Sequence, residues 1–163
     1  MPALAGLEKF ICSLPELYGA ELGKIALVGF SQGAAMVASL SLLRPELFAG
    51  VAMLAGFIPK LVYEVGWQQI VPEFTPKKDA KLPRYFISHG RSDKIVPYDR
   101  AEKAAHVISN LGAEVTFHLE DVGHKLGTAG MRALGSWFKE LLQPGLSNLN
   151  EDEFDGGFGR GIG

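Results

Sequence analysis

"KIALVGFSQGAAMVASLSLL", Lys24 to Leu43, is the stretch that decides the fold. It opens with "KIALVGF", Lys24 to Phe30, a short and continuously apolar run of the kind that forms a strand buried on both faces. It closes with "AAMVASLSLL", Ala34 to Leu43, which is rich in helix formers and stops at Arg44-Pro45. Ile25 to Leu43 carries no charge and is long enough to cross a bilayer. Gly29, Ser31, Gln32 and Gly33 cut it in the middle, so a buried strand turning into a buried helix explains it better than a membrane span.

Upstream, Leu4, Leu7, Phe10, Ile11 and Leu14 recur at spacings of three and four, which predicts a helix with one apolar face. Cys12 falls off that face. Pro15 is expected to end or kink this helix, and Gly19 to Gly23 reads as a loop. Downstream, Phe48 to Phe57 reads as a second apolar strand and Arg84 to Gly90 as a third. Pro97-Tyr98-Asp99 opens a helix that runs through Asn110 and closes at Gly112. Glu114 to Glu120 reads as a fourth strand. Lys125 to Leu142 gives a last amphipathic helix, with Leu126, Met131, Leu134, Trp137, Phe138, Leu141 and Leu142 as its apolar set.

Strands therefore alternate with helices, and each crossover is long enough to bring the chain back to the same edge. This predicts an α/β fold with about four parallel strands flanked by helices. Lys60 to Pro83, with Pro72, Pro76 and Pro83, interrupts the rhythm and reads as a surface or cap excursion. After Ser147 the chain turns acidic and then glycine-rich, so residues 148–163 read as a disordered tail on a single domain over 1–147.

The formal charge of -2 gives no ground for binding nucleic acid or anionic membranes. A single cysteine, Cys12, rules out an internal disulfide and fits a cytoplasmic setting. Met1 to Phe10 lacks the basic-then-apolar pattern of a secretory leader.

The chemistry centres on "GFSQG", Gly29 to Gly33. A G-x-S-x-G match alone is weak, but here a strand ends at Phe30 and a helix starts just after Ser31. That is the nucleophile-elbow arrangement, in which glycines two before and two after the serine let strand and helix approach closely. The helix start aims free N–H groups at the site, and the Gln32 N–H is a natural oxyanion donor. The bland alternative is a glycine turn with a capping serine.

A serine hydroxyl needs a base, and the base an orienting acid. On this scaffold their chain order is Ser, Asp or Glu, then His. "HGRSDKIVP", His89 to Pro97, places Asp93 after the third strand, and "EDVGHKLG", Glu120 to Gly127, places His124 after the fourth. All three thus follow the carboxyl ends of parallel strands, where open α/β sheets carry their sites. Asp121 is the runner-up acid. Asp99 serves the helix start, His118 faces opposite Phe117 and Leu119, His106 lies mid-helix, and His89 would precede the acid as a base. No metal-ligand motif supports a metal site from His89, Asp93 and His124, and none is expected.

"GFSQGA", "LAGFIP", "HGRSDKIVP" and "VGH" together resemble the phospholipase/carboxylesterase family of α/β-hydrolases, which includes the acyl-protein thioesterases. The likeness runs from about Leu4 to Leu142. It implies the C-terminal half of an α/β-hydrolase fold, with Ser31 as nucleophile, Asp93 as acid and His124 as base. It further implies Gln32 as an oxyanion donor, Phe57 and Ile58 in the acyl pocket, a small carboxylic ester or thioester as substrate, and no cofactor. Family members begin with further strands and a glycine-containing loop that supplies a second oxyanion N–H, and nothing upstream of Lys24 matches these. The strand Lys24–Phe30 should then be an open apolar edge, inviting a homo-oligomer by pairing with a second copy about a two-fold axis. The expected function is a serine carboxylesterase for short-chain esters. The near alternative is a thioesterase or lysophospholipase; the distant one is an oligomerising remnant impaired by an incomplete oxyanion hole.

Overall fold

The computed structural model describes residues 2–59 and 81–142. The expected tail over 148–163 lies outside the described residues, as does the expected excursion except for residues 81–83. The elements are α1 (Pro2–Tyr18), β1 (Ile25–Phe30), α2 (Gln32–Leu43), a short turn of 3₁₀ helix (Pro45–Leu47), β2 (Phe48–Leu54), β3 (Arg84–Gly90), α3 (Asp99–Asn110), β4 (Val115–Glu120) and α4 (Thr128–Leu142). The strands lie in the order β1-β2-β3-β4 and every neighbouring pair is parallel, so the α/β reading holds.

The register decides which side chains share a face. Val51, Met53, Tyr85 and Ile87 pack under Val37, Ala38 and Leu42 of α2 and Ala101, Ala104 and Ile108 of α3. Ala52, Leu54 and Phe86 point the other way, beneath Leu134 and Trp137 of α4. Both central strands are therefore covered twice, which is why apolar residues follow one another without alternation over residues 51–54 and 85–87. Gly50 lets α4 sit close, since a Cβ there would lie 2.6 Å from Leu141 and 2.8 Å from Trp137. A third cluster of Ile11, Leu40, Leu47 and Phe48 binds α1 to α2.

One buried polar pair ties α2 to β3. Ser41 Oγ donates to the Ala38 carbonyl at 3.0 Å, leaving the Tyr85 hydroxyl to donate to Ser41 at 2.8 Å. Burial pushes the Tyr85 pKa up, and the Ser41 hydrogen bond offsets this only in part, so Tyr85 stays a donor.

The structure corrects several expectations. β1 lies at the edge of the sheet, as the resemblance implied, and is therefore covered on one face rather than buried on two. Val28 and Phe30 pair with Ala52 and Leu54 and so point to the α4 side. They remain 49% and 45% exposed, because α4 lies over β2, β3 and β4. Pro15 does not end α1, which runs on to Tyr18. Only one turn follows the proline, and the helix stops at Gly19, whose φ is +67 and whose N–H donates to the Pro15 carbonyl at 2.9 Å. Phe10 is 54% exposed: it flanks the stripe that Leu4, Leu7, Ile11 and Leu14 turn toward α2. β2 ends at Leu54 rather than Phe57, because Ala55 adopts φ 47 and leaves the ladder.

Candidate active site

Ser31 stands between β1 and α2 with φ 55 and ψ −116. A non-glycine residue at positive φ stores of order 1–3 kcal/mol of strain and persists only where its surroundings enforce it. Here the Ser31 N–H donates to the Leu54 carbonyl at 2.8 Å, and the Ser31 carbonyl accepts from Ala34 and Ala35 N–H at 3.1 and 3.3 Å. The turn is tight because Gly29 has no side chain. A Cβ there would stand 2.3 Å from the Gly33 carbonyl oxygen and 2.4 Å from its carbon. A Cβ on Gly33 would meet nothing within 4 Å, so the close approach depends on the first glycine alone. The chain leaving β2 presses on the same turn, and a Cβ at Gly56 would lie 2.2 Å from Ala34 Cβ.

The Ser31 hydroxyl makes no capping hydrogen bond to α2, against the bland reading. Instead it lies 3.1 Å from His124 Nε2. His124 Nδ1 lies 2.7 Å from Asp93 Oδ2. An ionised carboxylate only accepts, so Nδ1 carries the hydrogen and Nε2 is left to accept from Ser31. The three residues predicted from chain order thus meet in one hydrogen-bonded line.

Two loops hold that line. In the first, Asp93 Oδ1 accepts from the Ile95 and Val96 N–H groups at 2.8 and 2.9 Å. Burial alone would raise the Asp93 pKa. The hydrogen bonds from His124, Val96 and Ile95 outweigh it and hold the carboxyl below its ordinary value of 3.8. The stability this group contributes is therefore complete above 3.8 and is lost as pH falls through the lower, folded value. Asp93→Asn should lack that acid-side drop, which urea denaturation at a series of acidic pH values will read directly. In the second loop, Arg91 N–H donates to the Glu120 carbonyl at 2.9 Å and Ser92 N–H to the Val122 carbonyl at 3.1 Å, lacing the two loops together. Gly90 permits this: a Cβ there would stand 2.2 Å from the Val122 oxygen and 2.3 Å from the Gly123 oxygen.

The other candidates take no part in that hydrogen-bonded line. Gln32 heads α2, and its N–H makes no hydrogen bond among the described residues. Phe57 lies beneath the Arg100 guanidinium, 4.0 Å from its ring centre. Ile58 is buried in the core between α2 and α3, at the floor of a pocket of about 160 Å³ that Asp99, Arg100, Lys103 and Ala104 complete. Asp121, the runner-up acid, engages Arg91 at 3.4 Å rather than His124. His106 is exposed on α3, and His118 buries its Nε2 without a hydrogen-bond partner among the described residues. Among the described residues no group of His, Cys, Asp or Glu side chains could hold a metal ion.

The phospholipase/carboxylesterase family profile matches residues 8–142. The chain belongs to the phospholipase/carboxylesterase family. It is 30% identical over 125 residues to the probable carboxylesterase SOBER1-like of Arabidopsis thaliana, across 76% of this chain and 45% of that protein. It is 30% identical over 128 residues to acyl-protein thioesterase 1 of Aspergillus fumigatus, across 77% of this chain and 51% of that protein. Its fold matches the crystal structure of esterase PE8 with a TM-score of 0.73 at 26% identity, across 86% of this chain and 61% of that one. This member of the phospholipase/carboxylesterase family spans about half the length of the curated relatives it matches.

Four residues around this candidate site were given no role in it from the sequence. The Phe30 ring lies 5.0 Å from that of His124, tilted by 59°. Glu120 Oε1 accepts the Gly127 N–H at 2.6 Å, bracing the His124 loop from the far side. Ala55, at positive φ, donates its N–H to the Ser88 carbonyl at 2.8 Å and guides the chain past Ser31. His89 Nε2 lies 3.3 Å from Asp93 Oδ2. Its place four residues before Asp93 was the one available signal.

Proposed function

We propose that the chain is a serine hydrolase acting on carboxylic esters, with Ser31 as nucleophile, His124 as base and Asp93 as the orienting acid. The observation that carries this reading is the line of hydrogen bonds at 3.1 Å from Ser31 to His124 and 2.7 Å from His124 to Asp93. Ser31 Oγ attacks the ester carbonyl carbon while its proton passes to His124 Nε2, and Asp93 stabilises the imidazolium that forms. The tetrahedral intermediate collapses as His124 protonates the departing alkoxide, leaving an acyl group on Ser31. A water molecule, deprotonated by His124, then attacks that acyl group. The carboxylic acid leaves and Ser31 regains its proton. The Gln32 N–H faces the developing oxyanion, and Phe57 and Ile58 flank a short acyl chain. A thioester would pass through the same steps with a thiolate leaving. The steps call for no cofactor. A single domain over residues 1–147 and a cytoplasmic setting belong to the same proposal, the latter resting on the lone cysteine. Among the described residues no helix is long and apolar enough to cross a membrane.

One observation favours the impaired-remnant reading: only the Gln32 N–H is assigned to the oxyanion. Loss of one donor typically lowers turnover by ~10²–10³-fold, which still leaves a measurable rate. Hydrolysis of p-nitrophenyl acetate and butyrate by wild type and Ser31→Ala separates the two. A wild-type rate well above that of the variant supports the hydrolase; equal rates reject it.

The β1 edge supports a homodimer. It is apolar and free of proline, and its exposed Val28 and Phe30 lie on one face, with Phe30 next to His124. Antiparallel pairing of two β1 strands about a two-fold axis would satisfy the open backbone groups of both. Light scattering should give a dimer, and Val28→Lys, which charges that edge, should shift it toward monomer. A wild-type monomer at micromolar concentration contradicts this.

A further inference from the structure

His89 closes β3 with 1% of its surface exposed, and its side chain and that of Asp93 are both sealed from solvent. Its Nε2 lies 2.8 Å from the Val96 carbonyl oxygen and 3.3 Å from Asp93 Oδ2. A carbonyl oxygen only accepts, so the hydrogen sits on Nε2. That hydrogen is spent on Val96, and Asp93 Oδ2 lies beside the ring nitrogen without accepting from it. The Val96 N–H meanwhile donates to Asp93 Oδ1 at 2.9 Å. Val96 is thus held at both backbone groups, by Asp93 at its N–H and by His89 at its carbonyl.

Packing does not require an imidazole here. His89 Nδ1 is buried with no hydrogen-bond partner among the described residues. An orphaned buried polar atom costs about 1–3 kcal/mol, which an apolar side chain of similar size would avoid. The stability cost falls on a residue that touches the acid of the proposed relay and the loop that holds it. A carboxylate on its own turns easily about its last torsion. Oδ1 is pinned by two N–H groups, but Oδ2 must stay aimed at His124 Nδ1.

We propose that His89 is a positioning residue: its Nε2–H anchors Val96, whose own N–H holds Asp93 Oδ1, and its ring stands against Asp93 Oδ2, so that the carboxylate stays fixed against His124. This rests on reading Ser31, His124 and Asp93 as the reacting groups. The first test uses the native protein. Long-range nitrogen–proton correlation on histidine-labelled chain should show the His89 hydrogen on Nε2; a hydrogen on Nδ1 alone overturns the proposal.

The second test compares variants with p-nitrophenyl butyrate. His89→Gln places an amide nitrogen where Nε2 stands and should keep most of kcat. His89→Asn reaches only the Nδ1 position, and His89→Leu fills the space without a donor. Both should lose about 10- to 100-fold in kcat with KM little changed, the scale on which a misplacement of about 1 Å acts. Wild-type kcat in a folded Leu or Asn variant, or Gln as impaired as Asn, contradicts the role. Should Leu fail to fold, the Gln and Asn pair decides. Failure of the underlying relay is distinguishable: it appears as hydrolysis that survives Ser31→Ala, whereas the His89 tautomer is read without any turnover.

Discussion

Ser31→Ala is expected to lower kcat on p-nitrophenyl butyrate by roughly 10⁴-fold or more, with KM little changed. The size follows from the mechanism. Without Oγ no acyl-enzyme forms, and His124 can only activate water toward an ester it is not placed to attack. Removing one member of such a relay typically disables nearly all of it, so Ser31→Ala and His124→Ala should each come close to the effect of both together. The fold should survive. Alanine at φ 55 is no more strained than serine, and the hydroxyl caps no helix N–H whose loss would weaken α2. A thermal midpoint at or above wild type, together with lost turnover, separates a chemical role from a structural one. Retained turnover in the folded variant sinks the role assigned to Ser31.

The second large effect is on stability. Gly29→Ala should destabilise the chain by about 3 kcal/mol or more, at the upper end of what overpacking costs. The new Cβ would meet backbone only, at 2.3 Å from the Gly33 oxygen, 2.4 Å from its carbon and 2.6 Å from the Ala34 nitrogen. No rotamer change relieves such a clash, so β1 and α2 must separate and Ser31 must move. Gly33→Ala is the matched control. Its Cβ would enter open space, and alanine near a helix start is favoured over glycine by up to ~1 kcal/mol. Urea denaturation of the two variants should therefore differ in sign as well as size. Equal midpoints would show that the elbow is not held by the close approach of Gly29 to Gly33.

The sequence made the scaffold legible where local pattern and tertiary environment agree. β3 runs from Arg84 to Gly90 as expected, because the unbroken apolar centre Tyr85-Phe86-Ile87 suits a strand covered by α3 on one side and α4 on the other. β1 has the same apolar pattern but lies at the edge, and which strands have neighbours is not written in a strand's own residues. Phe10 and Pro15 show the same limit within α1. Spacing gives the stripe, yet which flank stays wet depends on where α2 lies. Ser31, Asp93 and His124 could be named because each is a chemically competent residue type after the carboxyl end of its strand, in an order the scaffold prescribes. His89 could be weighed as a base and set aside, but its contact could not be read, because its partner is the Val96 carbonyl and backbone groups look alike in a sequence. Ala55 hid for a similar reason, since nothing in alanine announces a positive φ.

The central claim is that Ser31 is a nucleophile activated by His124. Reaction with a fluorophosphonate, followed by intact mass and peptide mapping, tests it most directly, because the probe needs an activated serine and no natural substrate. A single adduct on Ser31 is expected, absent from Ser31→Ala and formed far more slowly by His124→Ala. An adduct on another residue, or an unmodified Ser31 in a protein that still hydrolyses p-nitrophenyl butyrate, would contradict it.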